Sequence, residues 1–253
     1  MGFQIDDAII FIKLTSDFPD KKNLYTLGNP DSYLLAAELK YLINDKFIKK
    51  INSNKLNSLY LKKLESMQNN RVVNFLFFIK LLNFRSYKSI DCDKNTKADF
   101  FFDLTKKIPK FLKNKSNFIY DTGTLPYVEN PYKALEFVNL LLADNGIVYH
   151  KCSTNNNLFN DGYYQINESA FKNFYKNKYK ILFTAYSVKR FNNIILNSYD
   201  KVKNFNIRTF LNFCVIKNNN FTYKNKKKYL TINFTIPFIY YIYRNFIRLF
   251  KNG

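Results

Sequence analysis

The chain has no tryptophan, one histidine, His150, and three cysteines. Cys92, Cys152 and Cys214 are widely spaced and odd in number, which argues against a disulfide framework and points to a reducing interior. With a single histidine, the nearby pair His150 and Cys152 has no further Cys or His to complete a zinc site. Long apolar runs are missing near the start. Ala8 to Ile12 is a short stretch preceded by Asp6 and Asp7, with no small-residue cleavage site after it, so no signal peptide is expected. Asp6 also stands where the myristoylation pattern requires Ser or Thr. Acidic residues are scarce, 19 Asp and Glu against 40 Lys and Arg, and no internal repeat is visible.

Across 253 residues, 47% are hydrophobic and 23% charged, which is enough apolar material for a full core and describes a globular chain. The net charge of +21 has two readings. One is an anionic partner, nucleic acid or membrane. The other, which we take first, is compositional: Lys, Asn, Ile, Phe and Tyr share A/T-rich codons and are spread along the whole chain. Either way the protein should adhere to polyanions at low salt and release them steeply as salt rises.

From Leu24 onward, short apolar runs alternate with longer helical periods, the pattern of βαβ units in a parallel sheet. Leu24 to Leu27 is the first expected strand, stopped by Gly28-Asn29-Pro30-Asp31. A helix is expected from about Ser32, capped by Asp31 or Ser32, with Leu35, Leu39 and Leu42 on one side. An exposed helix around Leu56 to Leu64 and an apolar one over Arg71 to Leu82 follow. Tyr87 to Ile90, Ala98 to Phe102 and Phe118 to Tyr120 are expected strands that end at Asp91, Asp103 and Asp121. Ligands of an open parallel sheet sit off the carboxyl ends of its strands, so these carboxylates are candidates to face a binding crevice. Asn130-Pro131 and Asn145-Gly146 bracket a helix whose stripe is Ala134, Leu135, Val138 and Leu141 to Leu142. Ile147 to Tyr149 is a strand with His150 at or just past its end. A short helix over Ser169 to Tyr175 and an antiparallel pair, Lys180 to Tyr186 with Phe210 to Ile216, complete the pattern.

The run Asp121-Thr122-Gly123-Thr124-Leu125, then a helix, then Asp144-Asn145-Gly146 and a strand, resembles the fourth and fifth strand region of class I S-adenosylmethionine-dependent methyltransferases. Ser89-Ile90-Asp91 and Ala98 to Leu104 look like the preceding strands. Asn155, Asn156 and Asp161-Gly162-Tyr163-Tyr164-Gln165 resemble a stretch in a methyltransferase-like subgroup associated with bacterial surface-glycan gene clusters. The chain departs from these patterns at Pro126-Tyr127, where Glu-His is common, at Asp161, where His is common, at Asn145, where a second glycine is usual, and in a glycine loop reduced to Gly28.

The resemblance implies a Rossmann-like α/β fold over residues 1–225. Its mostly parallel central sheet would be flanked by helices and carry an antiparallel strand pair near the C-terminal end, with a basic aromatic tail over 226–253. It further implies S-adenosylmethionine as cofactor. Asp91 would accept both ribose hydroxyls and Asp103 the adenine amino group, with Asp121, Gly123 and Gly28 around the methionine end. His150 is the expected general base for a substrate hydroxyl, since its ordinary pKa is near neutrality. Asn155, Asn156, Asp161 and Tyr163 are candidates for a small-molecule or glycan acceptor, though the same residue types also form turns. The tail, with Lys226-Lys227-Lys228 before an Ile/Phe/Tyr-rich run, either lies in a membrane interface or packs on the domain as a last strand and helix. A cytoplasmic enzyme, touching a membrane only if the tail lies in its interface, is the leading expectation. An inactive methyltransferase-like binding module is the alternative, and a nucleic-acid-binding protein, suggested by charge and aromatics alone, the weaker one.

Overall fold

In the computed structural model, residues 2–20, 23–44, 56–153, 164–177, 179–190, 193–197, 209–217 and 232–235 are described. Five strands run parallel: β1 (Asn23–Leu27), β4 (Ser86–Asp91), β5 (Phe100–Phe101), β6 (Ser116–Asp121) and β7 (Leu142–Ser153). Their spatial order, β5-β4-β1-β6-β7, reverses its winding at β1. Beyond β7 the sheet continues through β10 (Thr209–Lys217), β8 (Tyr179–Arg190), β9 (Asn193–Asn197) and β11 (Ile232–Thr235), each antiparallel to its neighbour. β8 therefore points the same way as the parallel set, with β10 inserted head-to-tail between them. A separate two-strand ladder pairs β2 (Leu34–Leu35) with β3 (Val72–Val73).

Both faces of the central strands are apolar, as a parallel sheet covered on two sides requires. One face carries Leu24, Phe118, Tyr120, Ile147 and Tyr149 beneath α1 (Ile5–Asp17), α2 (Ala36–Asn44), α3 (Ser58–Glu65) and α4 (Phe75–Leu81). The other carries Leu27, Ile90, Ile119 and Val148 beneath α5 (Pro131–Leu141) and α6 (Glu168–Tyr175). No helix among the described residues is long and apolar enough to cross a membrane.

Several local expectations are corrected. The run Ala8 to Ile12 is the middle of α1, whose residues are buried almost throughout because it lies across the sheet. Ser32 starts no helix; it bridges to Phe3, and α2 begins at Ala36, where Glu38 accepts the Leu35 N–H at 3.0 Å. Arg71 to Leu82 divides into β3 and α4, because the Asn74 side chain accepts the Phe77 N–H and starts the helix there. After α5 the left-handed residue is Asn145 (φ 56°) rather than Gly146. The following strand is longer than expected, so His150 sits inside β7 and not past its end.

Candidate functional site

The strand registers set the carboxyl ends side by side. Ile90 lies opposite Leu27, Leu27 opposite Asp121, and Asp121 opposite His150. Asp91 pairs with Phe101, two residues before Asp103. Neighbouring strands are about 4.8 Å apart, so Asp91 and Asp121, separated by β1, begin about 10 Å apart. Gly28 lies between them, at the point where the winding reverses, which is the position of the ligand crevice in open α/β sheets.

Gly28 is required there by its neighbours. Its φ of +77° is left-handed, and a Cβ would come within 2.9 Å of Thr124 Oγ1 and 3.2 Å of Thr122 Oγ1. Both threonine hydroxyls donate to the Leu27 carbonyl, at 2.8 and 2.9 Å, tying the loop after β6 to the end of β1. The Gly28 N–H donates to Ile90 O at 2.7 Å, which holds the loop against the base of Asp91. Gly28→Ala is expected to cost about 1–2 kcal/mol from backbone strain. An unchanged denaturation midpoint at constant slope would overturn this account.

The three carboxylates differ in availability. Asp91 is half-buried, and one of its oxygens accepts the Asp93 N–H at 3.1 Å. Asp103 is exposed, and the Thr105 hydroxyl and N–H, at 2.7 and 2.8 Å, hold its carboxyl below the usual carboxylate range. Asp121 is fully buried. Its Oδ1 accepts the N–H groups of Gly123 (3.0 Å) and Thr124 (2.8 Å), and its Oδ2 lies 2.9 Å from His150 Nδ1. Its side chain thus shapes the loop from within and does not line a crevice.

His150 is corrected more sharply. It too is fully buried, stacked on Phe171 at 4.6 Å, with Nε2 2.7 Å from the Tyr175 hydroxyl. Burial pushes the Tyr175 phenol well above 10, so the hydroxyl keeps its proton in this contact. Both ring nitrogens are engaged, and no substrate hydroxyl reaches them in this arrangement. His150 acts as a post joining β6, β7 and α6. Asn155, Asn156, Asp161 and Tyr163 lie outside the described residues.

A second buried polar cluster, on the α1 face, escaped sequence reading. Lys151 is fully buried, with Nζ 3.0 Å from Asp6 Oδ2 and 2.6 Å from Asp7 Oδ2. Asp7 also accepts the Gln4 N–H at 2.8 Å, and the Tyr149 hydroxyl lies 2.9 Å from Asp7 Oδ1 and 2.7 Å from Asn212. Two adjacent aspartates opening a run of Ile and Phe were the available signal for a helix start. Their partner lies 144 residues away and leaves no local trace. The cluster pins α1 over the sheet, and Phe3 exchanges backbone hydrogen bonds with the loop after β1 (Phe3 N–H to Asp31 O at 2.7 Å, Tyr33 N–H to Phe3 O at 2.9 Å). The N-terminal segment is thereby tied to the loop that follows Gly28.

The strand order defines a Rossmann-like α/β protein whose winding reverses beside Gly28, where open α/β sheets bind their ligands. No family model matches the sequence, and no curated protein matches it. Among solved structures it is similar to an S-adenosylmethionine-dependent methyltransferase from Mesorhizobium loti (9% identity, TM-score 0.42, 84% of this chain and 100% of that one). It is also similar to a SAM-dependent methyltransferase from Aquifex aeolicus (10% identity, TM-score 0.39, 84% and 89%). A third is the Burkholderia thailandensis 1,6-didemethyltoxoflavin-N1-methyltransferase bound to 1,6-didemethyltoxoflavin and S-adenosylhomocysteine (10% identity, TM-score 0.37, 56% and 66%). The strand order and pairings above define the fold independently of these likenesses.

Proposed function

We propose that this chain is an S-adenosylmethionine-dependent methyltransferase whose cofactor lies across the carboxyl ends of β4, β1 and β6. The observation that supports this reading is the pairing of Gly28 with Asp91. A left-handed glycine, held to the Ile90 carbonyl, leaves the backbone low beside a carboxylate at the switch point. That combination suits a ribose: the carboxylate takes two hydroxyl donors, and the absent Cβ lets the sugar approach the chain. Asp103 and Gly123, on the flanking loops, are the proposed contacts to the adenine and amino-acid ends. Asp121 acts through the loop it shapes, as a positioning residue.

The bound cofactor would supply an electrophilic methyl group. The chain's own work is then to hold an acceptor in line and, for a hydroxyl acceptor, to take its proton. The proposed acceptor is a hydroxyl or amine of a sugar or glycolipid precursor, with Asn155, Asn156, Asp161 and Tyr163 as its contacts. Because His150 is sealed, an amine, which can release its proton to water, fits the described residues better than a hydroxyl that needs a base. The same burial favours a second reading, a methyltransferase-like module that binds cofactor without turning it over.

Titration calorimetry with S-adenosylmethionine and S-adenosylhomocysteine tests the reading. We expect binding to both ligands and a loss of tenfold or more in Asp91→Ala, about the worth of one or two charge-assisted hydrogen bonds. No heat with either ligand, or identical affinity in Asp91→Ala, would remove the cofactor assignment. Binding without methyl transfer to any sugar-containing acceptor would favour the inactive module.

A further inference from the structure

The β5 edge of the sheet carries an aromatic stack that the crevice does not use. Tyr25 and Phe100 are parallel at 6.4 Å. Phe100 meets Phe102 at 6.3 Å and Phe111 at 5.9 Å, and Phe102 meets Phe111 at 6.2 Å. Tyr25 is buried and Phe100 and Phe102 are half-buried, so they form a firm backing. On top of it Phe111 is 57% exposed, and Phe101, on the opposite face of the same edge strand, is 42% exposed. Two exposed phenylalanines at the rim of a sheet, one of them on a rigid aromatic support, are not explained by the core.

Their surroundings are basic. Between residues 97 and 115 there are six lysines, all exposed, against two aspartates. One of these, Asp99, is already bound to Lys88 at 2.8 Å, and the other, Asp103, to Thr105. The stretch holds no Arg, His or Gln. It therefore lacks the planar guanidinium fork that commonly reads nucleic-acid bases and phosphates. What it offers is wholly apolar rings and long flexible ammonium stems. Such a surface suits hydrocarbon at headgroup depth, with the ammonium groups on anionic lipid above it.

We infer that the β5 edge, through Phe101 and Phe111 with the lysines around them, docks this protein onto an anionic membrane surface. The inference stands apart from the methyltransferase reading. Because Asp91 pairs directly with Phe101, docking would bring the crevice to the lipid surface.

The test is co-sedimentation of the full chain with vesicles of phosphatidylcholine alone or with 30 mol% phosphatidylglycerol, beside a single-stranded oligothymidylate. With a net charge of +21, any anionic surface attracts the chain, so the variants carry the decision. Phe101→Ser/Phe111→Ser keeps every charge, and both side chains are exposed enough for the fold to tolerate it; unchanged thermal unfolding verifies that. We expect anionic-vesicle binding to fall about tenfold or more in this variant, with part of the wild-type binding surviving high salt. Lys106→Glu/Lys110→Glu should weaken binding to anionic vesicles and leave binding to phosphatidylcholine alone unchanged. Equal vesicle binding in wild type and the double phenylalanine variant would overturn the inference. So would oligothymidylate binding that the phenylalanine changes abolish while vesicle binding stands.

Discussion

Replacing Lys151 with methionine is expected to cost about 3–5 kcal/mol of folding stability, the usual result of stranding buried charge. The substitution roughly keeps the volume but leaves the adjacent carboxylates of Asp6 and Asp7 facing each other without their cation, in a site with no solvent access. Adding Asp6→Asn and Asp7→Asn should recover much of the loss, because the remaining groups are then neutral. The pH dependence has a definite sign. Burial alone would lower Lys151, but the charges and hydrogen bonds of Asp6 and Asp7 outweigh it and hold the ammonium above its ordinary 10.5. Its stabilisation is complete below 10.5 and is lost as pH climbs past the raised value. Burial lifts Asp7 above its ordinary 3.8, against the pull of Lys151, so its contribution is present below 3.8 and is lost as pH rises through the raised value. In Lys151→Met that lift grows. The gap between variant and wild type should therefore narrow on acidification toward pH 3, and urea midpoints across pH 3–8 measure it. A gap that stays constant over that range would be incompatible with a buried, charged triad.

Asp121→Ala should be nearly as damaging, at about 2–4 kcal/mol, since one carboxylate serves two backbone N–H groups and the His150 ring, all buried. Binding of S-adenosylhomocysteine should weaken as well, because the loop carrying Gly123 loses its internal anchor. Tyr175→Phe removes a single hydroxyl and should cost only about 1–2 kcal/mol. If Asp121, His150 and Tyr175 form one relay, Asp121→Ala and His150→Ala combined will cost clearly less than the sum of the two. Strict additivity in that double-mutant cycle would show that the groups act separately.

The Rossmann-like reading was available from alternation, because covered parallel strands appear as short apolar runs between helical periods. The Asn130-Pro131 start of α5 and the strands that end near Asp91 and Asp121 were equally local signals. α1 went unread because its apolar residues wrap the whole helix instead of forming one stripe, and periodicity is silent when every side is buried. His150 was misplaced for a related reason. The expected strand stopped at Tyr149, yet pairing with both β6 and β10 carries β7 on to Ser153 and draws the imidazole inside.

What the residues determined unaided is what depends on near neighbours: the cap at Asn130 and the strand rhythm. Tertiary structure alone decided which carboxylates are free and which are spent. Asp91 is half-buried and one of its oxygens accepts the Asp93 N–H, while Asp121 is enclosed by its own loop and by a histidine brought across from the next strand. The physical reason is that the availability of a charged group depends on who surrounds it. Those surroundings are assembled from segments as far apart as Asp7 and Lys151.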